Sequence, residues 1–172
     1  MKLIIFDRDG TLIENIPYLK DINLIRFKLG VIPTLKELQS HGFQMVVATN
    51  QSGIGRKILS KAQLENIHNE ITKRLLEEGV ILDEFICCPH IPMDHCNCRK
   101  PNNGMIEEII KKKKVDRDNV VFVGDQITDG IAASKSNVKS TIVSTDPTLV
   151  KYLPGKCELI EDFRMLITSI IR

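Results

Sequence analysis

The chain has 172 residues, of which 42% are apolar and 27% charged, and its formal net charge is +2. That composition argues against a disordered chain and leaves enough length for one domain over residues 1–172 with a buried core. A near-neutral balance also lacks the concentrated basic surface of a nucleic-acid binder, and the lysine run at 111–114 reads as the solvated carboxyl end of a helix.

In chain order, residues 3–6 (LIIF) read as a buried strand that runs straight into Asp7-Arg8-Asp9-Gly10-Thr11. Residues 14–30 have weak periodicity and read as a loop beside the mouth of that strand. Residues 33–40 form a short predicted helix with proline in its first turn. Residues 43–48 (FQMVVA) read as a second buried strand, which ends in Thr49-Asn50-Gln51-Ser52-Gly53. A longer amphipathic helix is predicted over 60–78, with Ser60 as N-cap and Gly79 as its stop. Its apolar residues Leu64, Ile67, Ile71, Leu75 and Leu76 follow helical spacing. A third strand is expected at 84–87, a helix at 104–113 and a fourth strand at 120–123 that ends in Gly124-Asp125. A helix over 128–136, a fifth strand at 138–143 and a closing helix over 162–171 complete the pattern.

Near-continuous apolar strands separated by helices predict an α/β, Rossmann-like parallel sheet sandwiched by helices. Ligands of such sheets bind outside the carboxyl ends of the strands. Four polar clusters follow four strands, so all four are expected on one rim. No run approaches the ~20 apolar residues of a membrane span. The amino-terminal apolar run also falls short of a secretory core of ~7–15 residues. A cytoplasmic location without a membrane partner is therefore expected, and the five cysteines are expected to be reduced or bound to metal rather than paired as disulfides.

Alternation along the strand end sends Asp7 and Asp9 to one side. Two carboxylates that close retain a proton unless a cation intervenes. Asp125 and Asp129 bring the acids near this rim to as many as four, a setting for a hard divalent ion such as magnesium held with substrate phosphate. Gly10-Thr11 permits a sharp turn and offers backbone N–H groups to an anion. Which of Asp7 and Asp9 would attack does not follow from the residues alone. Asp129 reads equally well as the acid at a helix amino terminus.

The segments FDRDGTLI, ATNQSGIG, CRKP and VGDQITD, in that order, resemble the four motifs of the haloacid dehalogenase superfamily of phosphotransferases. The resemblance implies that Asp7 is the nucleophile that becomes an aspartyl-phosphate. It implies that Asp9 is the acid for the leaving alcohol and then the base for water. Thr49 and Lys100 would hold phosphoryl oxygens, and magnesium would be bound by Asp7, Asp125 and the main-chain carbonyl of Asp9. A phospho-acceptor signalling domain is the rival from another class; such domains carry the acceptor on a later strand and lack the loop described next.

In CCPHIPMDHCNCRKP, Cys88-x-His90 and Cys96-x-Cys98 supply the three thiols and one imidazole of a closed zinc site. Arg99 and Lys100 follow the last ligand directly, so the metal would fix the loop that carries both cations. His95 is a possible substitute ligand. Cys87 is expected to end its strand facing the core, Cys157 and His68 read as core or surface residues, and His41 as a helix C-terminal cap.

This loop resembles that of the zinc-containing branch of histidinol phosphatases and heptose-bisphosphate phosphatases, compact enzymes without a large cap domain. NQSGIGRKILSKAQ and NIPYLKDIN resemble the heptose enzymes, whereas the short gap from His90 to Cys96 is similar to the histidinol phosphatase domain. The resemblance implies removal of the 7-phosphate from a heptose 1,7-bisphosphate, with histidinol phosphate as the alternative substrate. Asn50, Gln51, Ser52, Arg56 and Arg99 are then candidate substrate contacts, with Lys57 beside them. The expected partners are a small phosphorylated substrate, magnesium and zinc, acting on a monomer.

Overall fold

The structure, a computed structural model, describes residues 1–171. Six strands form one sheet: β1 (Lys2–Phe6), β2 (Phe43–Asn50), β3 (Glu84–Cys88), β4 (Val120–Gly124), β5 (Lys139–Val143) and β6 (Cys157–Ile160). Their order is β3-β2-β1-β4-β5-β6, and every neighbouring pair is parallel. Six helices accompany them: α1 (Val31–Ser40), α2 (Ser52–Gly55), α3 (Lys61–Glu77), α4 (Gly104–Lys113), α5 (Ile127–Lys135) and α6 (Leu166–Ile170).

The period-two alternation of β1 divides the core in two. Ile4 and Phe6 point to one face, where Leu35 and Leu38 of α1, Ile67, Ile71 and Leu75 of α3, and Leu166 of α6 cover them. Leu3 and Ile5 point to the other, against Met105, Ile106 and Ile109 of α4 and Ala132 and Ala133 of α5. Both faces are thus buried, which is why the strands read as apolar runs. The α3 boundaries follow the sequence closely: Ser60 and Gln63 form a capping box, and Gly79 adopts φ +78° just beyond the helix. His41 caps α1, its N–H reaching the Glu37 carbonyl at 3.1 Å.

Two elements differ from expectation. The edge strand β6 was not predicted, because four residues paired on one side only to β5 carry too little pattern to stand out. The closing helix is also shorter than 162–171. The Asp162 carboxylate accepts from the Arg164 N–H and starts a 3-10 turn over Phe163–Met165, so the α-helix begins only at Leu166. The segment 14–30 is a loop as expected, tied down by Glu14 N–H to Arg26 O (2.8 Å) and Lys28 N–H to Leu12 O (3.1 Å), with Leu19 and Ile25 buried beneath it. No separate cap is built over the sheet among the described residues. The chain direction across the sheet reverses between β1 and β4, and this switch point opens the crevice in which such sheets bind ligands.

Candidate active site

Asp7 follows β1 and Asp125 follows the adjacent β4, so the two acids face each other across the switch point. Asp7 N–H continues the ladder to Val123 O at 2.8 Å, and then the chain turns: Leu12 and Ile13 N–H both reach the Arg8 carbonyl, at 3.0 and 3.1 Å. Gly10 supports the turn at φ +82°, and a Cβ there would lie 2.3 Å from the Asp125 carboxylate. Glycine is required twice over, by backbone conformation and by this close approach.

Lys100 closes the acid pocket. Its buried ammonium donates to Asp7 Oδ1 (2.8 Å) and the Ala48 carbonyl (2.9 Å) and pairs with Asp129 Oδ1 (2.8 Å), which occupies all three donors. Burial opposes the charge on Lys100, but Asp129 and Asp7 outweigh it and raise the ammonium above the usual lysine range. The same burial pushes Asp7 up to about 7, against the pull of Lys100 and with a further push from Asp129. Asp125 is also raised, chiefly by burial, while a hydrogen bond from Gln126 (2.7 Å) works the other way.

Asp7, Asp125 and Asp129 bring carboxylate oxygens within 4.8 Å of one another. Three carboxylates against one ammonium leave a surplus of negative charge in a largely buried pocket. Their hard oxygen donors fit a divalent cation such as magnesium. Asp129 takes the place of the helix amino-terminal acid: Oδ2 accepts from the Gln126 N–H at the start of α5 (3.0 Å), while Oδ1 pairs with Lys100.

Asp9 lies outside that three-acid group. The guanidinium of Arg8 grips its carboxylate with Nε (3.1 Å) and Nη2 (2.9 and 2.8 Å). Gln51 Nε2 donates to Asp9 Oδ2 (2.8 Å) and lies 2.9 Å from Thr49 Oγ1, so Gln51 ties Asp9 to the end of β2. Asn50 turns instead toward the main chain of Lys100: its Nδ2 donates to Lys100 O (3.0 Å) and its Oδ1 accepts from Lys100 N–H (3.1 Å). On the far side of Arg8, Nη1 stands 3.1 Å from His68 Nε2, and the His68 ring stacks on Phe85 at 4.0 Å between centroids. Burial, reinforced by the Arg8 charge, lowers His68 to about 3. Arg8 and His68 were not singled out as functional residues in the sequence. The available signal was an arginine between two acids on a buried strand end, where alternation sends it away from the rim.

The Cys88, His90, Cys96 and Cys98 donors also lie within 4.8 Å of one another. Burial raises the Cys88 and Cys98 thiols; at Cys96 burial is outweighed by hydrogen bonds, led by the Arg99 N–H, and the thiol is lowered. Three soft thiols and an imidazole converging on one point suit zinc. His95 sits in a left-handed conformation on an exposed turn, outside the quartet. The loop is braced by Asn102 Nδ2 to Cys96 O (2.8 Å), and a Cβ on Gly104 would meet Asn97 O at 2.6 Å. Cys87 and Cys157 are half-buried outside it.

Arg99 Nη1 donates to His90 O (3.3 Å), so its guanidinium is bound to the cysteine loop. Ser52 opens α2; Arg56 and Lys57, just beyond α2, are exposed. The Gly55 N–H holds Pro89 O at 2.9 Å, which docks this segment onto the same loop. Beside Asp125 a cleft of about 480 Å³ opens between Gly10, Lys28, Gln126 and Ser144.

A sequence model of the family described as polynucleotide kinase 3 phosphatase matches residues 2–149. A D-glycero-beta-D-manno-heptose-1,7-bisphosphate 7-phosphatase of Haemophilus ducreyi is 37% identical over 149 residues, covering 83% of this chain and 82% of that one. A histidine biosynthesis bifunctional protein of Campylobacter jejuni is 35% identical over 141 residues, which are 80% of this chain and 40% of that protein. Among solved structures, a D,D-heptose 1,7-bisphosphate phosphatase from B. bronchiseptica, complexed with magnesium and phosphate, superposes with a TM-score of 0.91 at 32% identity over 99% of this chain and 98% of that one.

Proposed function

The chain belongs to the polynucleotide kinase 3 phosphatase family within the haloacid dehalogenase superfamily, and we propose that it removes the 7-phosphate of a D-glycero-D-manno-heptose 1,7-bisphosphate. The observation that carries the proposal is the meeting of Asp7, Lys100, Asp125 and Asp129 at the switch point of the sheet. In the first step an Asp7 carboxylate oxygen forms a bond to phosphorus as the bond to the sugar oxygen breaks, and Asp9 gives its proton to that oxygen. In the second, Asp9 takes a proton from water; the water oxygen bonds to phosphorus and Asp7 is released with inorganic phosphate. Lys100 and Thr49 meet the charge on the phosphoryl oxygens throughout. Asp7, Asp125 and the Asp9 carbonyl would hold magnesium, which when bound supplies the positive charge that keeps Asp7 ionised and neutralises the phosphoryl group.

Cys88, His90, Cys96 and Cys98 would hold zinc, whose role is to fix the loop beneath Arg99 and Lys100. Gln51 positions Asp9, Asn50 positions Lys100, and Ser52, Arg56 and Arg99 are the candidate contacts for the sugar and its second phosphate. The working unit is a monomer of one domain, and no described helix is long and apolar enough to cross a membrane.

Histidinol phosphate remains the second reading, because the histidine biosynthesis bifunctional protein matches at 35% identity, and the short His90–Cys96 gap resembles that of histidinol phosphatase domains. The match covers 40% of that protein's length. Steady-state kcat/KM for heptose 1,7-bisphosphate against histidinol phosphate separates the two. A clear preference for the heptose is expected; a preference for histidinol phosphate would reverse the assignment. Multiple turnovers, in place of one stoichiometric phosphorylation, set the enzyme apart from a signalling domain.

A further inference from the structure

We infer that His68 is a positioning residue for Asp9, acting through Arg8. The inference rests on Asp9 being the acid of the first step.

Arg8 is only 1% exposed, although it stands between two acids at the rim. A guanidinium carries five N–H donors and no acceptor. Its contact with His68 Nε2 therefore requires that nitrogen to accept, which fixes the imidazole as the Nδ1–H tautomer. The ring is held in turn by α3, from which it projects, and by the Phe85 ring of β3, which lies at 10° to it. A planar fork has one orientation in which Nε and Nη2 both face a carboxylate. With Nη1 anchored on His68, that orientation is the one that grips Asp9.

Every buried side-chain nitrogen and oxygen among the described residues has at least one partner, and for Arg8 Nη1 that partner is His68. Removing the acceptor at His68 leaves a buried N–H without a partner, and the guanidinium must rotate to find one. The fork on Asp9 then opens, and Asp9 keeps only the hydrogen bond from Gln51. A proton donor displaced in this way hurts the ester whose leaving oxygen needs a proton. In the first step, the one that kcat/KM reports, it spares an aryl ester, whose phenolate departs unassisted; the second step, in which Asp9 acts as base, is common to both esters.

The test uses the full chain with magnesium and compares kcat/KM for an alkyl phosphate and for p-nitrophenyl phosphate. His68→Leu keeps the volume and loses the acceptor; His68→Gln keeps an amide oxygen at the reach of Nε2. The expected result for His68→Leu is a loss of about 10- to 100-fold on the alkyl ester with the aryl ester almost unchanged. His68→Gln should recover most of that loss. Equal losses on both esters, no loss on either, or a glutamine as poor as leucine would overturn the inference. If His68→Leu does not fold, His68→Asn replaces it, because the shorter amide ends near Nδ1 and should fail where glutamine succeeds. Asp9→Asn, run alongside, separates the two claims. If it shows the selective loss while His68→Leu does not, the link through Arg8 is wrong; if it shows no loss, the acid assignment and this inference fall together.

Discussion

Asp7 and Asp9 stand two residues apart in one turn, yet their surroundings have little in common. Asp7 shares a buried pocket with two more carboxylates and one ammonium, and its proton affinity is raised to about 7. Asp9 is met by donors alone, a guanidinium fork and an amide, and its side chain keeps 20% exposure. A carboxylate crowded by others is placed to use a metal and a phosphoryl group. One gripped at a fixed angle beside water is placed to pass protons. Neighbouring acids acquire different work from their environments, as paired carboxylates do elsewhere.

The contrast breaks most completely at Asp7. Asp7→Asn preserves shape and one hydrogen-bond acceptor but removes the carboxylate proposed as nucleophile, so turnover should fall on the order of 10⁴-fold or more with the circular dichroism spectrum unchanged. Wild-type rates in this variant would refute the role given to Asp7.

Removing the cation from each side sharpens the comparison through stability. Lys100→Met leaves Asp7 and Asp129 facing each other without a counter-charge, and urea denaturation should show a loss of about 3–5 kcal/mol. Arg8→Met leaves Asp9 unpaired but open to water, so a smaller loss of roughly 1–3 kcal/mol is expected. Equal losses would mean that the two pockets do not differ as described.

Metal removal acts on one pocket only. Chelating the zinc proposed for the cysteine loop should speed amide hydrogen exchange across residues 88–101 and lower magnesium-dependent activity by displacing Lys100. The loss should be partial, because Asn50 holds the Lys100 main chain from β2 independently of the cysteines. Full activity after stripping would show that the loop does not organise the site.

The most gradual effect belongs to the Asp9 side. His68 is lowered from 6.5 to about 3, so between those values the unfolded chain binds more protons and stability rises with pH. Its contribution is complete above about 6.5 and is lost as pH falls toward about 3. His68→Gln should flatten that part of the melting-temperature profile relative to the natural chain. Parallel profiles would show that the imidazole is not held neutral against Arg8.

Much of this could be read from the chain because the decisive residues lie close in sequence. Asp7 and Asp9 follow one apolar run, and the cysteine quartet falls within eleven residues. The parallel sheet follows from apolar strands separated by helices, and the rule for carboxyl ends brought four clusters to one rim. What escaped depends on long-range pairing. The contact between Arg8 and His68 joins residues sixty positions apart, and nothing in the helical pattern of α3 distinguishes His68 from an ordinary core histidine. Asn50 looked like a substrate contact because it sits in a polar cluster at a strand end; its engagement with the Lys100 main chain appears only in three dimensions. β6 was missed because an edge strand of four residues is fixed by its partner rather than by its own sequence.

The most direct test of the central claim is to find the phosphoryl group on the protein. Asp9→Asn is mixed with magnesium and p-nitrophenyl phosphate, whose first step needs no proton from Asp9, so that only the second step is slowed; the mixture is quenched in acid during turnover and digested for mass spectrometry. A single phosphoryl adduct on the peptide that carries Asp7, converted to homoserine at that position by borohydride, is the predicted result. Steady release of phosphate with no adduct at Asp7, or an adduct on another side chain, would contradict it.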